Sequence, residues 1–232
     1  MLTDPAAHPA TVWLILAACL AIADWLLTAR HRIGPRAISK PGTMVLLLGA
    51  ALTMAGTAGW TVGAALITAG LFCSLWGDVF LLRERPGSRF PWFPAGAAAF
   101  GLAHLLYAAA FIDLAAVRLA DGTTSPEALF AAAVTGVLTV GAAVVLVGRR
   151  IVAAAGKERA LAAGYVALIS LMAATAIGTA NAWAVAGALL FYASDSILAW
   201  KRYRDSVRLR DWHVMVTYHL AQFSFVGLLA FG

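Results

Sequence analysis

Six ionisable side chains fall inside long apolar runs of this sequence: Asp24, Asp78, His104, Asp113, Asp195 and His219. Each costs at least roughly 2.5–3.5 kcal/mol near the centre of a bilayer, so each calls for a partner, a cavity or a function. Asp78 and Asp195 resist a purely structural role best. Neither has a basic residue one helical turn earlier, and small residues flank both, Gly77 at one and Ser194 and Ser196 at the other. Small neighbours let helices approach closely, so the two carboxyls are expected to face each other or a shared cavity. In a poorly hydrated pocket the first negative charge opposes the second, and such a pair keeps one proton near neutral pH. One member then protonates a substrate while the other activates water, which is general acid–base hydrolysis without metal or cofactor. Asp and His also suit a zinc site, but no HExxH or other local ligand pattern occurs, so a metal would need convergence across spans.

The other polar residues have structural alternatives. His104 serves a hydrogen bond in the bundle core as readily as catalysis. His219 follows Thr217 and Tyr218 and precedes Gln222, a polar stretch better placed to line a cavity. Asp24 either pairs with Arg30 or Arg32 as a topology anchor or joins the site. Lys40, at the start of the second span, either snorkels to the headgroups or serves the site. Asp113, near Arg118 and Asp121, reads as a solvated helix end.

These residues must be carried by membrane helices. Of 232 residues 62% are hydrophobic and 12% charged, against roughly 45–50% and about 25% in soluble domains. The expected fold is all-α and polytopic, a single integral membrane domain over 1–232. Its eight spans lie near 10–29, 41–56, 59–82, 93–117, 127–148, 159–178, 182–200 and 212–231. Breakers mark the joints: Gly34-Pro35, Pro41-Gly42, Pro86-Gly87 with Pro91 and Pro94, Gly122 with Pro126, and Gly156. The start of the chain lacks a basic n-region, so the first helix reads as retained. Cys19 and Cys73, both in apolar stretches, exclude a disulfide framework and a Cys-based metal site.

The net charge of +6 and the pI near 9.8 do not indicate nucleic acid, because the basic residues sit in short alternate loops. Arg30, Arg32, Arg36 and Lys40 follow span one, Arg83, Arg85 and Arg89 span three, and Arg149, Arg150, Lys157 and Arg159 span five. Lys201, Arg202, Arg204, Arg208 and Arg210 follow span seven, leaving Arg118 alone on the opposite side. Both termini are therefore expected outside, with the basic loops cytoplasmic. Asp24, Asp78 and Asp195 then lie about one turn from the cytoplasmic ends of their spans, His219 about two turns in and His104 somewhat deeper. Asp78 in span three and Asp195 in span seven, each followed one span later by His104 and His219, also suggest a parallel 4+4 internal repeat.

The ordered motifs carry a resemblance. Gly77-Asp78-Val79-Phe80-Leu81-Leu82, Gly187-Ala188-Leu189-Leu190-Phe191 leading to Ser194-Asp195-Ser196, and Phe93, Gly96, Phe100, His104 and Tyr107 at their spacing resemble the YhhN family of lysoplasmalogenases. Ser39-Lys40-Pro41, Tyr165 with Ser170 and Met172, and Tyr218 with Gln222 support it. The similarity runs from span two to the end, and Asp24 in span one lies outside it. The resemblance implies an eight-span enzyme that hydrolyses the vinyl ether bond of lysoplasmalogens, releasing a fatty aldehyde and a glycerophospho-headgroup, with Asp78 and Asp195 as the catalytic pair. It implies no cofactor and no metal. Lys40 would hold the phosphate, and His104, Tyr107, Tyr165, Tyr192, Ser194, His219 and Gln222 would shape the substrate site. The partners expected are a lysophospholipid substrate and membrane lipids, not nucleic acid, and no sequence feature signals an oligomeric state. Fourteen Arg to three Lys, with abundant Ala, suggests a GC-rich bacterial source, hence an inner membrane with the site towards the cytoplasmic leaflet. Two other readings compete: a proton-coupled carrier for a lipid-derived solute, and a metal-dependent intramembrane lipid hydrolase.

Overall fold

Capping residues set the helix boundaries that continuous apolar runs leave open. Thr61 accepts from the Ala64 N–H, Ser125 from that of Ala128, and Asn181 from those of Trp183 and Ala184. The structure, a computed structural model, describes residues 7–85, 87–204 and 210–231. Its helices are α1 (Ala7–Ala29), α2 (Ile33–Ala58), α3 (Val62–Leu82), α4 (Trp92–Ala120), α5 (Pro126–Ala143), α6 (Arg149–Ala154), α7 (Arg159–Gly178), α8 (Ala182–Tyr203) and α9 (Asp211–Phe231). A π-helical segment, Val144–Gly148, joins α5 to α6 without interruption. The described residues thus form eight helices long and apolar enough to cross a membrane, and contain no strand. The chain is an all-helical integral membrane protein.

Two boundaries differ from the sequence reading. Span two starts at Ile33 rather than near 41, so Pro41-Gly42 is no joint. Pro35 falls in the first turn, where its missing N–H has no intrahelical partner to lose, and Pro41 removes only one bond of the ladder inside a long helix. Span five runs past 148 to Ala154, so Arg149 and Arg150 are helical rather than in a loop. Their side chains are exposed at the helix end, where long basic stems reach water without the backbone uncoiling. Arg208, Pro86 and the first six residues, all used in the sequence reading, lie outside the described residues.

The helices pack as tight neighbours α1 with α2, α3 with α4 and α8 with α9; α7 lies against α4 and α5, while α1 and α2 both reach α9. Close approach comes from small residues. A Cβ at Gly77 would lie 2.5 Å from the Phe100 ring, and the ring of Phe225 occupies the space beside Gly187. The buried rings of Tyr107, Phe111, Phe191 and Phe225 fill the centre. Large apolar side chains such as Ile15, Leu52, Phe72, Leu102, Phe130 and Leu138 point outward, the pattern of a surface that meets lipid rather than water.

Candidate active site

α3 brings Asp78 to within about one turn of its end at Leu82, fully buried. Both carboxylate oxygens face groups of other helices: Oδ1 forms an ion pair with Lys40 Nζ on α2 at 2.9 Å, and Oδ2 accepts from the Tyr218 hydroxyl on α9 at 2.8 Å. The Lys40 side chain is only 10% exposed, and its ammonium also lies 5.8 Å from the Tyr218 ring centroid. This corrects the expectation of a lysine at the interface. Because α2 begins eight residues early, Lys40 is in its third turn, facing a carboxylate rather than the headgroups. A buried charge pair of this kind leaves a heavy uncompensated cost when one partner is removed.

α8 brings in Asp195, whose side chain is 10% exposed. Its Oδ2 accepts from the Tyr165 hydroxyl on α7 at 2.5 Å, while His104 Nε2 on α4 stands 3.6 Å from the same oxygen, beyond a direct hydrogen bond. Asp195 also lines a narrow cleft bounded by the end of α3, α4, α6, α7 and α8. Among the described residues the only other polar side chains on its wall are Tyr165 and Tyr203; the rest, including Leu81, Phe93, Phe100 and Leu198, is apolar. A smaller pocket touches Tyr165 and Asp195 and takes in Tyr192.

Asp78 is not on the wall of this cleft, and no hydrogen bond joins the two carboxyls. Rings separate and connect them: His104 packs on Phe191 at 4.7 Å, Phe191 on Tyr218 at 5.5 Å, and Phe100 on both Phe191 and Tyr218.

The remaining expected residues divide between these two centres. On the Asp78 side, Tyr107 donates to Gln222 Oε1 at 2.8 Å, with Ser74 Oγ 3.4 Å away, and His219 Nδ1 accepts from Trp25 Nε1 at 3.0 Å. His104, Tyr165 and Tyr192 belong to the Asp195 side. Both nitrogens of His104, His219 Nε2 and Gln222 Nε2 are buried with no hydrogen-bond partner among the described residues. Ser194 joins neither centre: its hydroxyl donates to the Val214 carbonyl at 3.0 Å and ties α8 to α9.

Asp24 is fully buried and pairs not with Arg30 or Arg32 but with residues of α2. Its Oδ1 accepts from Ser39 at 2.7 Å and lies 3.5 Å from Arg36 Nε. The early start of α2 explains this too, since it makes Arg36 and Ser39 helical neighbours of α1. Asp113 lines a separate cavity at the opposite end of the bundle. Among the described residues no three His, Cys, Asp or Glu side chains converge as a metal site would need.

Sequence reasoning left out three contributors. Tyr218 stood in the sequence only as a supporting motif residue beside His219, with no role of its own in the site. Trp25 had no signal, an aromatic in an apolar helix being ordinary. The third is a charged cluster at the cleft mouth. Arg202 donates from Nε and Nη2 to Glu158 at 2.9 and 2.8 Å, Tyr203 donates to Glu158 at 2.8 Å, and Glu84 accepts from the Phe93 N–H at 3.0 Å. In sequence these charges read as separate solvated loops.

No solved structure matches the chain at a significant level. The family model described as the YhhN family matches residues 35–229, from the first turn of α2 to the last of α9, and takes in both aspartates with their hydrogen-bond partners. That match covers most of the sequence, and the chain belongs to the YhhN family.

Proposed function

We propose that this protein hydrolyses the vinyl ether bond of alkenyl lysophospholipids, using Asp195 as general acid and base and Asp78 as its charged partner, without metal or cofactor. The observation that carries the reading is the opposite setting of two carboxyls in one bundle. Asp78, with an ammonium on one oxygen and a phenol donating to the other, has the surroundings of a carboxylate anion. Asp195 opens onto an apolar cleft and is the natural holder of the shared proton. Membership of the YhhN family, which includes lysoplasmalogenases, supports the same chemistry.

In this mechanism the alkenyl chain lies in the cleft. Asp195 gives its proton to the β-carbon, the π pair of the double bond forms the new C–H bond, and an oxocarbenium ion results. The Asp195 carboxylate so formed faces that cation and takes a proton from water as the water oxygen bonds to the cationic carbon, while Asp78, behind the rings of Phe100, Phe191 and Tyr218, acts through its charge. The hemiacetal then collapses: Asp195 gives its proton to the departing oxygen as the C–O bond breaks, and the hydroxyl proton returns to Asp195. Aldehyde and glycerophospho-alcohol leave, and both carboxyls are back in their starting states. Lys40 acts by holding Asp78 as an anion, not by binding phosphate. The basic loops favour a site facing the cytoplasmic leaflet of a bacterial inner membrane.

The test is aldehyde release from an alkenyl lysophospholipid by the purified protein in detergent. Wild type releases aldehyde in the presence of a chelator, and Asp78→Asn and Asp195→Asn each abolish release while the protein stays folded. No release from folded wild type would overturn the reading. Proton-dependent uptake of an unaltered solute into proteoliposomes would then favour a carrier.

A further inference from the structure

We propose that the groove between α7 and the π-helical segment with α6 binds one anionic glycerophospholipid of the bilayer, its phosphate held by Arg149 and Arg159. The groove shares only Val166 with the cleft at Asp195, and the lipid it takes is not the one hydrolysed. The proposal therefore stands apart from the hydrolase reading.

Two helical walls build the groove. In one, the Arg149 N–H donates to the Val144 carbonyl, the bond between residues five apart that marks a π turn. An α-helix would turn these two side chains away from each other. The π turn stacks them instead, so Arg149 joins Val144, Gly148 and Val152 on one wall. The other wall is a single face of α7, with Arg159 at its start, Ala163, Val166 and Ala167 along it and Ser170 at the far end. Gly148 forms the floor, where a Cβ would lie 3.0 Å from Val166 Cγ1. From Arg159 to Ser170 the groove follows about three turns of α7, roughly 16 Å, or about half of a hydrocarbon core of about 30 Å. That length suits an acyl chain of one leaflet and is too short for a helix that crosses both.

Charge selects the headgroup. Arg149 opens α6 and Arg159 opens α7, both exposed, and among the described residues neither side chain has an ion pair. Arg150 and Lys157, also exposed, add charge of the same sign. The one acid in this stretch, Glu158, is engaged elsewhere: Arg202 donates to both its oxygens, at 2.9 and 2.8 Å, and Tyr203 donates to it at 2.8 Å. The groove thus joins an apolar wall to an uncompensated positive charge. Guanidinium groups match phosphate oxygens with paired donors. A zwitterionic lipid offers the same phosphate but sets its ammonium among Arg150 and Lys157, so a headgroup of net negative charge is preferred. The same charges oppose a second copy of the chain, because a two-fold contact here would bring Arg149 and Arg159 against their own counterparts.

The experiment presents the purified protein, in a nonionic detergent at low salt, with equal amounts of phosphatidylglycerol and phosphatidylcholine bearing the same chains. Native mass spectrometry then counts each lipid retained. Wild type is expected to prefer phosphatidylglycerol by about tenfold, the scale of one or two basic side chains near an anionic headgroup. Arg149→Gln combined with Arg159→Gln brings the ratio close to one. Arg30→Gln combined with Arg32→Gln removes the same charge from exposed positions between α1 and α2 and leaves the preference in place. Ala167→Phe, at an exposed position on the groove wall, fills the groove and lowers retention of phosphatidylglycerol with no change in charge. This variant keeps the test open even if the paired arginine variant does not fold. Equal retention of the two lipids by wild type overturns the proposal. So does an equal loss in both arginine pairs, which would mark general attraction to a basic surface, or retention unmoved by Ala167→Phe. A dimer that Ala167→Phe dissociates would give the groove to a second copy and overturn it as well.

Discussion

The two aspartates occupy matching places in the sequence, each near the end of a span that leads to a basic loop, yet their surroundings differ in kind. Asp78 is enclosed and both its oxygens meet donors, one of them cationic. Asp195 has a single close donor, a phenol, and faces an apolar cleft. The histidines that follow them differ as well: His219 is fixed by Trp25, whereas His104 packs on Phe191 and Tyr165 with neither nitrogen bonded among the described residues. A carboxyl held by a cation is kept charged, and one held by a neutral phenol beside an apolar wall is free to carry a proton. In the proposed mechanism this difference gives Asp195 the proton and leaves Asp78 charged.

The largest test of this contrast is catalytic. Asp195→Asn and Asp78→Asn are each expected to lower aldehyde release by about 10²–10⁴-fold, and the double variant should be little worse than either single one, read from initial rates. Next comes stability. Lys40→Met strands the Asp78 charge and should cost about 3–5 kcal/mol, seen as a lower thermal midpoint in detergent. Adding Asp78→Asn should restore much of that midpoint without restoring activity. A matching substitution at Tyr165 has no such charge to strand, so an equal loss there would break the comparison. Smaller effects should sort the two phenols. Tyr218→Phe removes a bond to a charged group and should cost about 1.5–3 kcal/mol, against about 0.5–1.5 for Tyr165→Phe if Asp195 is neutral. Equal losses by thermal unfolding would argue that both carboxyls are ionised. The smallest change expected is Trp25→Phe, about 1 kcal/mol for one neutral hydrogen bond, with His219 ring shifts by NMR as its marker.

Much of the architecture could be read from the chain because a bilayer demands about 20 apolar residues per helix and penalises every charge within one. That demand exposed the eight spans and singled out Asp78 and Asp195 as the residues needing explanation. It did not fix the start of span two, since Pro41-Gly42 looks like a joint and is tolerated inside a helix. The error carried over to Lys40 and to the partners of Asp24, both of which depend on where α2 begins. The pairing of Lys40 with Asp78 and of Tyr218 with the same carboxylate depends on how α2, α3 and α9 are rotated about their axes. Apolar runs without clear periodicity carry no record of rotation. The mouth cluster was hidden for a related reason: Glu84, Glu158 and Arg202 are ordinary loop charges until the fold brings them together.

The hydrogen bond from Trp25 to His219 spans 194 residues of chain. During synthesis α1 enters the membrane first and α9 last of the described helices, so this bond, the one from Tyr218 to Asp78 and the one from Tyr107 to Gln222 all wait for the same final segment. Until α9 arrives, Trp25 Nε1, Asp78 Oδ2 and the Tyr107 hydroxyl lack the partners that α9 supplies. A chain still lacking α9 is therefore chemically distinguishable from one that has it, and arrival of α9 is the event that brings these polar groups their partners.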